Sequence, residues 1–263
     1  MSTVEPSPHT GISRTAIRRD HAVFTPESHV PVLFPGWDNA ETVVVISAEM
    51  GAKFEQYIVS CHAGARLQPL REQDELFVLV QTGEITLSHK STNQTLAPDG
   101  YAYVPPGGDW RIESAGEATL LVFAKPYIEL PGQAAPELLV QRLDDVPAEP
   151  FLGDEGALLQ VLLPESLRFD WGINLFDFVP GGTLPNVESH FMEHGLFLLA
   201  GQGVYRLGDH WYPVTAGDCI WMGPYVPQWY VAAGKTHSRY LYCLLYTSPS
   251  PRDQRGSRMP SSA

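Results

Sequence analysis

The stretch Gly181-Gly182-Thr183-Leu184-Pro185-Asn186-Val187-Glu188-Ser189-His190-Phe191-Met192-Glu193-His194-Gly195-Leu196-Phe197-Leu198-Leu199-Ala200-Gly201 places two imidazoles and two carboxylates within seven residues. On an extended chain successive side chains alternate between faces, so Glu188, His190 and His194 are expected on one face and Glu193 on the other. Nitrogen and oxygen donors gathered on a stiff element suit a divalent metal ion. A helix would also bring His190 and His194 together, being four apart. The zinc-protease pattern, however, needs Glu directly after its first His, and Phe191 stands there. Gly181, Gly182 and Pro185 before the cluster, and a Leu-Phe-Leu-Leu run into Gly-Gln-Gly after it, favour strands. On these residues alone, polar histidines on the rim of a barrel remain the alternative.

Outward from this stretch the chain repeats itself. Leu76-Phe77-Val78-Leu79-Val80-Gln81-Thr82-Gly83 aligns without gaps on Leu196-Phe197-Leu198-Leu199-Ala200-Gly201-Gln202-Gly203, an offset of 120 residues. Asp99 to Gly107 likewise resembles Ala216 to Pro224, each a Gly turn feeding a strand that ends at Pro or Gly. A duplicated β-unit explains both pairs. Short runs of Val, Leu, Ile, Phe and Tyr between 23 Gly and 23 Pro predict many strands joined by tight turns. The expected organisation is a mobile arm over 1–13, one β-domain over 14–124, a Pro-rich and acid-rich linker over 125–150, and a second β-domain over 151–243. Residues 244–263, rich in Ser, Pro and Arg, are expected to be a disordered and non-native tail.

Bulk properties narrow the function. Hydrophobic residues make up 44% of 263 and charged ones 18%, enough for two cores. A net charge of -13 gives no surface for a phosphate backbone or an anionic membrane, so neither nucleic acid nor membrane is an expected partner. Three widely spaced cysteines, Cys61, Cys219 and Cys243, argue against a disulfide framework or a zinc cluster. With no apolar run of about 20 residues and no secretory pattern at the start, the cytoplasm is the default compartment.

The spacing around His190 resembles the first cupin motif: a Gly, a His-x-His pair, an acid, then a Gly. Glu188-Ser189-His190 stands in the pair, His194 in the acid position, and Gly201 closes it. Gly217 to Gln228 follows the second motif, with Gly223, Tyr225 and Gln228 in its last three places. Together they imply an all-β fold of two tandem cupin barrels (double-stranded β-helix, jelly-roll). The implied metal set is Glu188, His190, His194 and Gln228. With ESHFMEHGLFLLAGQGVYRLGDHWYPVTAGDCIWMGPYVPQWY around it, that set resembles the (S)-ureidoglycine aminohydrolase family, over roughly Ser13 to Tyr242.

The resemblance implies release of ammonia from (S)-ureidoglycine to give (S)-ureidoglycolate, in purine (allantoin) catabolism. One Mn2+ per chain in the C-terminal cupin is implied with it, as are a small-molecule ureide substrate, a homo-oligomer and, from plant members, the endoplasmic reticulum as a second compartment. Glu188 and Tyr240 would be catalytic, and Tyr205, Tyr240 and Gln228 would contact substrate. In the N-terminal cupin Gln68, Leu70 and Asp74 replace Glu188, His190 and His194, so that half is expected to be structural. The chain departs from the family near its end, where Leu244 takes the place of a substrate-contacting lysine. Metal binding with poor turnover is the expectation if that ending is native. Two rivals stand: another metallocupin such as a non-haem iron dioxygenase, against which Gln228 counts, and a non-catalytic storage or sugar-binding bicupin, against which the converging donors count.

Overall fold

The computed structural model describes residues 13–246. The expected N-terminal arm, save Ser13, and residues 247–263 of the expected tail lie outside the described residues. Within them helix is confined to three single turns, Pro26–Ser28, Ala48–Met50 and Leu143–Asp145, and the rest of the regular structure is β.

The N-terminal half forms a ten-stranded sheet. Its centre is the strand Asp74–Thr82 beside Ala118–Pro126, which in turn pairs with Glu55–Leu67. Inside lie Val59, Leu67, Val78, Leu87, Ile112 and Leu120, all fully buried, so this barrel is filled by apolar side chains. The C-terminal half repeats the plan in an eight-stranded and a three-stranded sheet. Its centre is Glu193–Ala200, between Ser238–Leu245 and Cys219–Met222.

The repeat read from the sequence holds, but the two central strands correspond at an offset of 118 residues and not 120, so that Gly83 matches Gly201 instead of Gly203. Asp74–Thr82 and Glu193–Ala200 pair with their partners through a register shift at the same place, beside Leu120 and beside Leu198. Each then turns on a glycine, Gly83 or Gly201, both at φ +75°. A Cβ there would lie 2.2 Å from the Glu117 carbonyl oxygen or 2.4 Å from that of His237, so only glycine fits either turn.

Three boundaries differ from expectation. Residues 14–24 were expected in the first unit, yet His21–Phe24 pairs with Cys219–Met222 of the second, and Arg14 binds Asp218 through two bonds of 2.7 and 2.9 Å. Cys219–Met222 would otherwise be an unpaired edge, and the N-terminal strap satisfies it. The stretch 125–150 is not structureless: Leu139–Arg142 adds an edge strand to Gly100–Val104. Its four residues are too short to show a period among the surrounding prolines. Finally, Leu244 and Leu245, assigned to the tail, are buried and complete the strand Ser238–Leu245 by pairing with both of its neighbours.

A third apolar cluster fuses the two barrels, with Phe54, Phe77, Tyr101 and Phe123 from the first against Phe169, Trp171, Ile173 and Trp221 from the second. The contact is close enough to exclude a side chain at Gly195, where a Cβ would meet the Phe54 ring at 2.4 Å. Beside it Glu193, facing away from His194 as its parity predicts, accepts from Trp221 Nε1 (2.6 Å) and the Lys53 backbone amide (3.3 Å). The back of the strand carrying His194 is thereby clamped to the other barrel.

Candidate metal centre

His194 is the second residue of Glu193–Ala200, opposite Met222 on one side and Leu244 on the other. His190 is not on that strand, which begins only at Glu193. The strand parity expected for Glu188, His190 and His194 therefore does not operate. The segment from Glu188 to Met192 crosses irregularly, as its Gly-Gly and Pro lead-in allows. Glu188 and Gln228 exchange two backbone hydrogen bonds of 2.8 Å, and the Tyr225 amide donates to the His190 carbonyl at 2.7 Å. These bonds turn His190 back onto His194.

Three side chains converge. His190 Nε2 and His194 Nε2 are 3.0 Å apart, and the Gln228 side-chain nitrogen is 3.0 Å from the first and 3.1 Å from the second. Donors each about 2.1 Å from one ion and at right angles to one another lie about 3.0 Å apart, so this triangle has the dimensions of one octahedral face. The two ends of an amide are equivalent in shape. Turned over, Gln228 would offer Oε1 to the ion while its NH2 faced Tyr205, whose hydroxyl is 3.1 Å from the present Oε1.

Burial sets the charge of the cluster. Desolvation lowers the pKa of His190, and desolvation followed by the neighbouring His190 takes His194 well below its ordinary value. Both imidazoles are thus neutral at neutral pH, the form that binds metal. Burial also pushes Glu188 up to about 7. The Glu188 carboxyl borders the same space but stands outside the triangle, and among the described residues no three His, Cys, Asp or Glu side chains are grouped closely enough to hold an ion. The donor set comprises two His and Gln228, with Glu188 beside it.

Of the other expected site residues, Tyr205 and Tyr240 are buried behind Gln228, their rings 6.2 Å apart. Leu244 lines a cavity of about 420 Å³ that opens from the donors toward the surface. Its walls include Trp171, Asn174, Phe176 and Tyr242, none of which the sequence reading singled out. The alternation of Tyr240, Tyr242 and Leu244 along one strand was the available signal for Tyr242. The N-terminal residues matched to the donors by the 120-residue offset do not converge: Gln68 and Leu70 are exposed, and Asp74 is bound by Arg71 at 2.7 Å, while the strand position of His194 is taken by Leu76.

A jelly-roll barrel with imidazoles converging at one end defines the class: this is a cupin, and a family model for the cupin domain matches residues 174–244. The (S)-ureidoglycine aminohydrolase of Arabidopsis thaliana is 42% identical over 236 residues, covering 88% of this chain and 77% of that one. The Escherichia coli K12 protein of the same name is 30% identical over 236 residues, covering 88% and 89%. The crystal structure of protein Ylba from E. coli superposes with a TM-score of 0.79 at 28% identity, covering 89% of this chain and 94% of the other. The chain belongs to the (S)-ureidoglycine aminohydrolase family.

Proposed function

We propose that this protein hydrolyses (S)-ureidoglycine to (S)-ureidoglycolate and ammonia, using one manganese ion held by His190, His194 and Gln228, with the Glu188 carboxyl beside it. The observation that carries the reading is the triangle of three donors at 3.0 to 3.1 Å in a chain 42% identical to a protein of that activity. In the reaction the carbon–nitrogen bond to the amine breaks and a carbon–oxygen bond to water forms. A bound divalent ion supplies a fixed positive charge for the substrate carboxylate and so one orientation of the reacting carbon. Glu188, with a pKa of about 7, is suited to pass a proton to the departing amine. Tyr205 fixes the Gln228 amide, and Tyr240 packs against Tyr205.

Homo-oligomeric assembly belongs to the same proposal. It is supported by Val30, Val32 and Leu33, which are exposed around the edge strand Pro31–Leu33, and sedimentation velocity tests it. The function itself is tested by ammonia release from freshly generated ureidoglycine with manganese added and then chelated. Release that stops on chelation is expected. Release indifferent to chelation would remove the ion from the reaction, and no release in the presence of manganese would refute the activity.

A further inference from the structure

The strands Trp171–Phe178 and Ser238–Leu245 lie side by side along the cavity, with Asn174 paired to Tyr242. Tyr242 stands where the outer cavity narrows onto the donors, and it borders the space on both sides of that narrowing. Its ring stacks on Phe176, with centroids 5.6 Å apart and planes 10° from parallel, and lies 5.8 Å from the ring of His194. The ring is therefore fixed by packing, and its hydroxyl, among the described residues, by one bond: Asn174 Nδ2 donates to it at 3.3 Å.

That single bond leaves two unused functions facing the cavity. The phenol oxygen already accepts, so its own proton is available to an acceptor, while Asn174 Oδ1 makes no hydrogen bond among the described residues and is available to a donor. If the amide is turned over, Tyr242 donates to Asn174 and the two functions exchange places, so the pair still presents one donor beside one acceptor. A urea group has the complementary edge, a carbonyl oxygen flanked by N–H. Phe176 and Leu244, which line the cavity beside the pair, are apolar.

We infer that Tyr242 and Asn174 form the recognition site for the ureido group, distinguishing ureides from other small 2-substituted carboxylic acids. This rests on the proposed function, and it adds residues that determine specificity. The carboxylate end of the substrate lies at the donor triangle and the ureido end against Tyr242 and Asn174, which sets the substrate along the axis of the cavity.

Calorimetry on the manganese-loaded protein tests it, with (S)-ureidoglycolate and glycolate as probes. These share the 2-hydroxy acid and differ in the ureido group. The native protein is expected to prefer ureidoglycolate, and Tyr242→Phe and Asn174→Ala are each expected to weaken ureidoglycolate about tenfold, the usual loss for one hydrogen bond, while glycolate affinity and manganese content stay unchanged. KM for ureidoglycine should rise by a similar factor with a smaller change in kcat. Asn174→Ala keeps the ring of Tyr242 on Phe176 and carries the test if Tyr242→Phe fails to fold. Equal weakening of both probes, or an unchanged ratio, overturns the inference. Absence of ammonia release by the native protein would instead refute the proposed activity, and the ratio of the two affinities would still report on the pair.

Discussion

Leu244 stands directly opposite His194 in the antiparallel pair formed by Ser238–Leu245 and Glu193–Ala200, and both side chains line the cavity. The position that resemblance assigns to a substrate-contacting lysine is thus inside the site, where an apolar side chain offers the substrate no charge. Leu244→Lys is expected to raise kcat/KM for ureidoglycine by about 100-fold, the range for a hydrogen bond from a charged donor, without altering manganese content. An unchanged rate in a folded, metal-loaded variant would show that the position takes no part.

Removing the ion should lower stability as well as activity. A ligand at 100 times its Kd adds about 2.7 kcal/mol to a folded protein, and each kcal/mol is worth roughly 2–4 °C in a chain of this size. Differential scanning calorimetry with manganese and with a chelator is expected to differ by several degrees in Tm. The difference should vanish in the double variant His190→Ala, His194→Ala.

A second buried cluster predicts how stability depends on pH. Between the barrels Lys125 lies 2.7 Å from Glu75 and also pairs with Asp170, and Tyr103 donates to Glu75 at 2.7 Å. The cluster is neutral when one of its two carboxyls keeps a proton. Burial holds that proton on Glu75 to well above the ordinary carboxylate range, against the pull of Lys125. In the unfolded chain Glu75 ionises near the usual value of about 4.3, so from there up to its folded pKa the folded state holds the extra proton and stability falls as pH rises. Glu75→Gln, which cannot ionise, is expected to show a shallower fall in Tm between pH 5 and pH 9. An equal fall in both proteins would contradict this origin.

The clamp behind His194 is tested at Gly195. Adding a methyl group there drives it into the Phe54 ring, and Gly195→Ala is expected to cost about 2 kcal/mol or more in a denaturant titration. Phe54→Ala should recover part of that loss when combined with it, a coupling that only direct contact produces. Additive losses would place the two residues apart.

Local signals carried the reading as far as they reached. The spacing of His190, His194 and Gln228 is a property of short segments, and the fold brings the three together, whereas the gapless match of the halves set Gly83 against Gly203 when its counterpart is Gly201. What the sequence concealed depends on long-range pairing. Nothing near His21–Phe24 marks its partner as Cys219–Met222, nearly two hundred residues away. Asn174 and Tyr242 meet only because their strands are neighbours. The strand parity assumed around His190 presupposed an extended chain, whereas the backbone bonds of Glu188 to Gln228 and of Tyr225 to His190 impose a crossing, and this leaves Glu188 beside the donor triangle instead of within it.

The central claim is that His190, His194 and Gln228 hold one cation together. Manganese bound per chain, measured by electron paramagnetic resonance in the native protein and in His194→Ala of unchanged circular dichroism, tests it most directly. One ion per chain, lost on replacing His194, is the predicted result; full occupancy without His194 would contradict it.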